Sequence, residues 1–512
     1  MGNRKSNRLE LLGKLAFGAI SLCVMFLMFW HLGAPSVNAT DEAYHGVNAY
    51  EMLKADNWLV NTYRYETDYF NSKPPLNLWL IQIAYRLFGI SSFSLRLPAA
   101  VAGTMTYFII AVYLWKRKNI FTCDLFGLAF MTNVLPFTYH MFRAGDMDSV
   151  YCLFSAVAVL ALEECRKHPN AILMYGFATG LAFLTKGVHA GTILVIGVVC
   201  LPVIWHSLSW RKMLGSIVLL ITPVLAWAVP RFFYDGFAFF NRGVVGEMSD
   251  KVVVDHVGDV TYPLRKMLLQ KNWQLLLACI SIAIAVWIVS IVKYSCVKTG
   301  EGGGRGEKAR KMLLQFTEDY AVLLVAILVP IVLYTAVQAQ SEWYYYSGYL
   351  FGNVATAILM NDILYRLQGK KWLVSCLTAG YTGACLIVFA HIIHIIYVSD
   401  ISGDPNVILR ECIASQKEDW GTAYCDVKAY IQNENNSYKP SDQWQCDNVF
   451  YAETIMDWQC MDGGVEGFLN DTDSNVHVLV LSSSLWDRYS AELTGHVILQ
   501  DNGYLIMSSE RY

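Results

Sequence analysis

Residues 15–32 read LAFGAISLCVMFLMFWHL, an apolar run close to the roughly 20 residues that a helix needs to cross a bilayer. Four basic residues precede it: Arg4, Lys5, Arg8 and Lys14. Positive charge favours the cytoplasmic side of a membrane, so we expect the N-terminus there. The run lacks a convincing small-residue cleavage site, which indicates an anchor rather than a cleaved signal peptide.

The composition extends this reading to most of the chain. Of 512 residues, 55% are hydrophobic and 16% are charged, and the mean hydropathy is +0.35. Soluble proteins carry about 25% charged residues, so the deficit indicates a polytopic membrane protein. The net charge of -3 gives no indication of nucleic-acid binding.

Basic clusters orient the remaining apolar runs. Those at 116–118, 166–167, 211–212, 293–311 and 366–371 are expected in the cytoplasm. About 11 spans of roughly 20 residues place all of these clusters on the cytoplasmic side. They are 15–33, 98–115, 120–141, 148–164, 171–186, 189–206, 213–230, 273–292, 319–337, 346–365 and 373–397. Residues 74–88 are apolar but short and open with two prolines, so we expect an interfacial helix there.

This topology predicts two domains. Residues 1–397 form a transmembrane catalytic domain with large outer loops at 34–97 and 231–272, and residues 398–512 form a small soluble extracytoplasmic α+β domain. The run VHVLVL at 476–481 is typical of a buried strand, and 501–503 of a hairpin turn. Two disulfides or, with less suitable spacing, a zinc site would account for four cysteines: Cys412, Cys425, Cys446 and Cys460.

Polar clusters fall on the outer side of this topology. They are Asp41-Glu42, Asp146 with Asp148, the loop 235–262, Glu342 and the C-terminal tail. Ion-coupled transporters usually place ionisable groups at mid-membrane, and the predicted spans carry almost none. The pattern favours an enzyme that works at the outer interface.

The pair Asp41-Glu42 is a candidate general base, since a partly buried carboxylate can take a proton from a hydroxyl. The alternative is an acidic start to an amphipathic helix whose apolar face holds Tyr44, Val47, Tyr50 and Met52. Outer cations that could hold a lipid phosphate are Lys73, Arg96 and Lys186, and their alternative is snorkelling at the interface.

A second acidic motif, Arg143-Ala-Gly-Asp146-Met-Asp148, follows the third span. Arg143 could pair with either aspartate, which would be structural. Alternatively, the acids could orient a sugar or the catalytic pair.

The order of these motifs resembles the membrane glycosyltransferases of the GT-C class, with the closest resemblance to bacterial aminoarabinose transferases and protein O-mannosyltransferases (glycosyltransferase family 39-like). The motifs span about two-thirds of the chain and do not cover the C-terminal domain. They are Asp41-Glu42-x-Tyr44, Glu51-Met52 with Asn57-Trp58, Tyr69-Phe70 leading to Lys73-Pro74-Pro75-Leu76 and Trp79, Phe88-Gly89 with Arg96-Leu97-Pro98, Arg143-x-Gly-Asp146-x-Asp148, Leu184-Thr-Lys-Gly187 and Trp343-Tyr344-Tyr345.

The resemblance implies a GT-C-like fold and a polyprenyl-phosphate sugar as donor. It implies that Asp41 lies at the reaction centre and that Lys73 contacts the donor phosphate. Supporting roles are expected for Tyr44, Arg143, Asp146, Asp148, Glu342, Trp343 and Tyr345. Aminoarabinose transferases have a glutamate, proposed to hold a metal, where this chain has Asn71-Ser72. A metal is therefore doubtful here, unless Glu66 or Asp68 substitutes, and no cofactor is expected.

The leading hypothesis is thus a multi-pass glycosyltransferase that acts on an outer-face hydroxyl of lipid A or another glycolipid, an envelope polysaccharide or a protein. The bacterial inner membrane, with the site and the C-terminal domain in the periplasm, is the expected location, and the endoplasmic reticulum is the alternative. A transporter or flippase of a lipid-linked sugar is the second hypothesis. A non-catalytic membrane subunit that presents the C-terminal domain is the third.

Overall fold

The computed structural model describes residues 2–38, 41–246, 261–296, 305–335, 341–399, 427–432, 446–472, 475–501 and 504–511. The first part of the chain is helical. Its helices are α1 (Gly2–Phe29), α2 (Asp41–Lys54), α3 (Leu76–Phe88), α4 (Ser92–Arg117), α5 (Ile120–Phe130), α6 (Val134–Thr138), α7 (Asp148–Glu164), α8 (Ala171–Lys186), α9 (Gly191–Ile204), α10 (Trp210–Asp235), α11 (Ala238–Phe240), α12 (Tyr262–Leu269), α13 (Lys271–Cys296), α14 (Arg305–Thr335), α15 (Tyr346–Arg366) and α16 (Lys371–Ser399).

Except for 120–141, each predicted span overlaps one helical segment of the described residues. Within the described residues, five helical segments are long and apolar enough to cross a membrane: Glu10–Phe29, Ser92–Arg117, Ala171–Ser207, Trp210–Asp235 and Lys371–Ser399. Shorter apolar helices are Ile120–Phe130, Lys271–Val286 and Tyr320–Thr335. The number of about 11 spans therefore stays a prediction.

The predicted span 120–141 is wrong as a single helix. The structure ends α5 at Phe130 and begins the short α6 at Val134. Asn133 Nδ2 donates to the Phe130 carbonyl at 2.8 Å and Thr132 Oγ1 to that of Ala129 at 2.6 Å, so side chains compete for the carbonyls at the end of the helix. The backbone N–H groups of Asn133 and Thr132 also reach these carbonyls, three residues back instead of the helical four. Pro136 has no N–H to donate and suits the first turn of a new helix.

The loop between α1 and α4 folds into α2, α3 and a two-stranded ribbon, β1 (Thr62–Tyr63) with β2 (Glu66–Thr67). Helix α3 leaves Ile83, Leu87 and Phe88 exposed, which fits the predicted interfacial helix. Helix α2 departs from the prediction of an amphipathic surface helix. It is buried on all sides from Glu42 to Met52, because a second domain covers it.

That second domain contains a five-stranded sheet in the order β4-β3-β5-β7-β6. Strands β3–β4 and β3–β5 are parallel, and β5–β7 and β6–β7 are antiparallel. The predicted strand at 476–481 is observed as β5. The elements are β3 (Lys428–Gln432), α17 (Cys446–Met456), β4 (Gln459–Met461), α18 (Gly464–Asn470), β5 (His477–Ser482), α19 (Trp486–Tyr489), β6 (His496–Asp501) and β7 (Tyr504–Arg511).

One apolar core joins this sheet domain to the loop between α1 and α4. It combines residues of α2 and α3 with residues of α17 and the strands. Val37 N donates to Tyr451 Oη at 2.7 Å across the same contact. Of the four cysteines predicted to form disulfides, Cys412 and Cys425 lie outside the described residues, and Cys446 and Cys460 are buried.

Candidate active site

Six chain segments line a cavity of about 310 Å³ at the start of α7 and the end of α8. They are the start of α2, residues 70–73, the loop leading into α7, the end of α8 with the turn that follows it, residues 241–246 and the turn Glu342–Tyr345. The lining residues are Asp41, Tyr44, His45, Phe70, Asn71, Ser72, Lys73, Asp146, Met147, Asp148, Lys186, His189, Arg242, Trp343 and Tyr344. Sequence-predicted acids and cations therefore converge on one cavity.

Asp41 and Lys73 are the more accessible of these groups. Asp41 is the first residue of α2 and is exposed, and Lys73 is half-buried just before the proline pair that leads into α3. Arg242, which is exposed, adds a third cation to the lining beside Lys73 and Lys186. An anionic group in this cavity would meet positive charge from three different segments.

Lys186 and Asp148 form a buried ion pair at the floor of the cavity. Gly187 ends α8 directly after Lys186 with a φ of +57°, a conformation that favours glycine. Lys186 Nζ also lies 5.4 Å from the ring centroid of Tyr344 and 5.9 Å from that of Tyr151, within the range of cation–π attraction.

Asp146 lies between two histidines. Its Oδ2 is 3.1 Å from Nδ1 of His140, and its Oδ1 is 3.6 Å from Nδ1 of His45. Burial alone would lower the pKa of His140, but the charge of Asp146 and the hydrogen bond to it raise that pKa to about 9. Burial would raise the pKa of Asp146, but His140 and His45 together hold it well below its usual range.

Trp343 holds His140 from the other side. The two rings stack with centroids 4.0 Å apart and planes inclined by 13°. Asp41, His140 and Asp146 each place a potential ligand atom within 4.8 Å of the others. His140 therefore forms one cluster with the predicted base and the second acidic motif.

Glu42 and Arg96 take positions that do not fit their predicted roles in catalysis and phosphate binding. They form a buried ion pair, with Arg96 Nε 2.6 Å from Glu42 Oε1, and Glu42 also accepts from Gly145 N at 2.8 Å. The remaining Arg96 donors reach the carbonyls of Leu32, Pro35 and Ser36 at 2.8–3.0 Å. This pair therefore ties the segment after α1 and the start of α2 to α4.

Four other predicted residues have hydrogen-bond or ion-pair partners that indicate a structural role beside the site. Tyr44 Oη donates to Asp68 Oδ1 at 3.0 Å, and Tyr345 Oη to the Tyr334 carbonyl at 3.4 Å. Glu342 pairs with Lys266. Arg143 donates to the Leu27 carbonyl at 2.8 Å, near the end of α1. Asp148, one of the two aspartates with which Arg143 could have paired, forms its ion pair with Lys186.

Asp68 is engaged too fully to replace the missing glutamate as a metal ligand. Besides Tyr44, it accepts from Asn48 Nδ2 at 3.1 Å and from the backbone N–H of Phe70 at 2.8 Å and of Asn71 at 3.2 Å. Burial raises the pKa of this carboxyl, and these hydrogen bonds oppose that effect.

Sequence reasoning missed four residues of this region: His45, His140, His189 and Arg242. His45 had a signal, because it follows Asp41 by four residues and so shares its helix face. His140 and Arg242 belong to segments without regular periodicity, so nothing in the pattern indicated their direction.

A second cavity of about 410 Å³ lies on the other side of Asp146. Asp146 lines both cavities, and His140 lines the second. Residues 35–38, Arg143 and the end of α16 at Ile395, Ile396 and Ser399 also contribute to its wall. The two cavities therefore share Asp146 as a lining residue.

Comparison with known proteins agrees with this architecture. Residues 72–229 match the family described as dolichyl-phosphate-mannose-protein mannosyltransferase. The undecaprenyl phosphate-alpha-4-amino-4-deoxy-L-arabinose arabinosyl transferase of Enterobacter sp. (strain 638) is 26% identical over 200 residues, which are 37% of this chain and 35% of that protein. An uncharacterized protein of Aquifex aeolicus is 28% identical over 186 residues, 36% of each chain. The matches thus span about a third of the length of these relatives.

The fold match is more extensive. The crystal structure of ArnT from Cupriavidus metallidurans bound to undecaprenyl phosphate superposes with a TM-score of 0.66 at 13% identity, over 96% of this chain and 97% of that one. Its apo structure gives a TM-score of 0.67 at 12% identity over the same shares. The resemblance to the GT-C class of membrane glycosyltransferases is therefore confirmed, and the fold is shared with ArnT.

Proposed function

We propose that this protein is an integral membrane glycosyltransferase that moves a sugar from a polyprenyl-phosphate donor to an acceptor hydroxyl. The observation that carries this proposal is that Lys73, Lys186 and Arg242 line the same cavity as the exposed carboxylate Asp41. A reaction that expels a phosphate and deprotonates a hydroxyl needs this combination of cations and a base. The relatives named as transferases of undecaprenyl-phosphate-linked aminoarabinose support the same donor class.

The proposed reaction forms one bond and breaks one. The acceptor oxygen attacks the anomeric carbon of the donor sugar, and the bond from that carbon to the phosphate oxygen breaks. The electron pair of the broken bond goes to the phosphate, whose growing charge Lys73 and Arg242 stabilise. The hydroxyl proton goes to Asp41.

Lys186 has a different role in this proposal. Its ammonium is buried against Asp148 and two tyrosine rings, so part of its charge is already compensated. We assign it to the floor of the donor cavity, where the pair with Asp148 positions both side chains. Glu42 and Arg96 are assigned to holding the first outer loop.

The second cavity is the proposed route for the acceptor. It shares the lining residue Asp146 with the donor cavity and is walled partly by apolar residues of α16, which suits a substrate that approaches from the bilayer or its surface. The acceptor is a glycolipid such as lipid A, an envelope polysaccharide or a protein hydroxyl, and the sugar is a hexose or a pentose.

The topology follows from the same proposal. Residues 1–397 cross the membrane about 11 times by the 20-residue rule, with the loops 34–97 and 231–272 outside, and residues 398–512 form an outer soluble domain. The site and that domain face the periplasm of a bacterial inner membrane. The basic clusters between spans support this orientation.

Transfer by purified protein from a panel of polyprenyl-phosphate sugars tests the function, with Asp41→Asn beside wild type. A positioned general base contributes about 10²–10⁴-fold, so the variant should lose at least about 100-fold in rate. Glu466→Gln, an exposed acid of the sheet domain outside the cavity lining, should keep wild-type activity. Full activity of a folded Asp41→Asn protein would show that Asp41 is not the general base. Donor movement across vesicles without sugar transfer would instead support a flippase.

A further inference from the structure

Arg231 is a buried cation in the last turn of α10 that lies outside the lining of the donor cavity. The whole residue is only 1% exposed. Its Nε and Nη2 each lie 2.8 Å from Oδ2 of Asp235, one helical turn further on. The guanidinium is a rigid planar fork, so these two contacts leave Nη1 and the ring-like face of the group directed towards other segments.

Through Nη1, Arg231 holds the segment that carries Lys73. Nη1 donates to the Leu59 carbonyl and to Asn61 Oδ1, each at 3.3 Å. Asn61 in turn donates from Nδ2 to the Asn71 carbonyl at 3.0 Å, two residues before Lys73. Asn61 is 4% exposed, so these hydrogen bonds are shielded from competition with water. One side chain therefore links the guanidinium to the backbone beside Lys73.

Through the face of its guanidinium, Arg231 also holds the segment that carries Arg242. The guanidinium carbon lies 4.4 Å from the ring centroid of Phe239, a cation–π contact that is stronger when it is desolvated. Phe239 is 3% exposed and precedes Arg242 by three residues. Its ring also packs edge-on against Trp227 of α10, with centroids 5.4 Å apart. The course of the chain towards Arg242 is thus fixed from α10.

The two segments touch each other directly. Gly243 is buried, and a Cβ at this position would lie 2.9 Å from the carbonyl oxygen of Ser72. Ser72 adjoins Lys73, and Gly243 adjoins Arg242, so the contact joins the two parts of the cavity wall that supply these cations. A shift of one segment against the other would change the distance between the two cations.

We propose that Arg231 is a positioning residue for the donor phosphate, because it holds both segments and so sets the spacing of Lys73 and Arg242. This inference rests on the proposed function, in which those two cations stabilise the phosphate. A misplacement of about 1 Å at a reacting group can cost on the order of 100-fold in rate, so their spacing matters. A residue that only anchored the fold would alter stability and leave the donor affinity of the folded protein unchanged.

Arg231→Lys is the first test. Lysine keeps a positive charge for Asp235 but lacks the planar fork, so it cannot hold Asn61 and Phe239 at the same time. Binding of unsubstituted polyprenyl phosphate to the folded, full-length protein should become at least about tenfold weaker. Arg117→Lys is the matched control, since Arg117 also makes a forked pair, with Glu164, but lies outside the cavity lining. It should bind polyprenyl phosphate as wild type does.

Gly243→Ala tests the same spacing without a change of charge. The added Cβ should push the segment away from Ser72 and weaken polyprenyl-phosphate binding in the same way. Gly383→Ala in α16, where no atom lies within 4 Å of the added Cβ, is its control and should have no effect.

A double-variant cycle shows whether Arg231 acts through Lys73. In the Lys73→Met background, Arg231→Lys should weaken binding by no more than about twofold, because the spacing no longer matters. The same loss with and without Lys73 would overturn the inference, as would wild-type binding by folded Arg231→Lys and Gly243→Ala proteins. Wild-type protein that neither binds polyprenyl phosphate nor transfers a sugar would instead overturn the proposed function, and this inference with it.

Discussion

Lys186, the last residue of α8, and Asp148, the first residue of α7, form an ion pair in which each side chain is only 6% exposed. Consecutive helices that pack side by side bring these two ends together. The pair lies at the floor of the donor cavity, so its energetics affect both the stability of the protein and the shape of the proposed site.

Removal of one partner should destabilise the protein more than removal of both. Asp148→Asn or Lys186→Met leaves a buried charge without compensation, which costs about 3–5 kcal/mol, whereas the double variant avoids that penalty. Thermal unfolding in detergent should rank the double variant above either single one. The exposed pair Lys54–Asp457, at 2.7 Å, is the control, and its removal should cost at most about 1 kcal/mol. Equal losses for both pairs would contradict the argument.

Lys73 should govern donor affinity. A hydrogen bond to a charged group contributes about 1.5–3 kcal/mol, so Lys73→Met should weaken binding of a polyprenyl phosphate by roughly 10–100-fold, and Lys73→Arg should retain most of it. Binding of the unsubstituted polyprenyl phosphate measures this directly. Lys271→Met, an exposed lysine outside the cavity lining, should have no effect. If both methionine variants bind equally well, Lys73 does not contact the phosphate.

Local patterns predicted the helices well, because an apolar run of membrane length is a property of consecutive residues. The predicted span 171–186 coincides with the observed α8, Ala171–Lys186. The exception, 120–141, breaks where Thr132 and Asn133 hydrogen-bond to the backbone, and average hydropathy does not detect that competition.

Counting spans predicted on which side of the membrane the site residues lie, but it could not predict which side chains enter the site. The shared outer side of Asp41, Lys73 and Lys186 followed from counting spans, and the structure places all three around one cavity. The direction of each side chain did not follow. Glu42 is adjacent to Asp41 yet turns about 100° round the helix towards Arg96. The contact of His45 with Asp146 joins positions that are far apart in sequence.

Gly46 should tolerate no side chain, because α2 and the sheet domain pack closely there. A Cβ at this position would lie 2.7 Å from two ring atoms of Phe450. Overpacking of this kind costs about 1–3 kcal/mol, so Gly46→Ala should lower the unfolding temperature and, by shifting α2, the transfer rate. Gly18→Ala in α1, where no atom lies within 4 Å, is the matched control.

A second substitution, at Phe450, tests whether the contact with Gly46 causes this loss of stability. Phe450→Leu removes ring atoms from the contact, so it should restore part of the stability lost in Gly46→Ala. A double variant no more stable than Gly46→Ala would indicate that the loss has another cause.

Glu51 of α2 and Glu453 of α17 should make the domain contact sensitive to pH. Both are at most 1% exposed. Burial raises the pKa of Glu51 from 4.5 to about 7, although hydrogen bonds from Thr62, Tyr65 and Arg64 oppose it, and the charge of Asp68 adds to it. Burial and then the charge of Glu51 raise the pKa of Glu453 well above its usual range, against the opposing charge of Arg64.

The direction in which stability changes with pH follows from proton binding. Between pH 4.5 and about 7 the folded protein holds a proton on Glu51 that the unfolded chain has lost, so stability is highest below this window and falls as the pH rises through it. Each such proton changes the unfolding free energy by up to about 1.4 kcal/mol per pH unit. Glu453→Gln removes a buried carboxyl whose ionisation the fold opposes, so it should raise the unfolding temperature above wild type at pH 8 and leave it nearly unchanged at pH 5. Glu466→Gln, an exposed acid of the same domain, should track wild type at both. Parallel pH curves for all three proteins would show that the buried carboxyl pair does not control this contact.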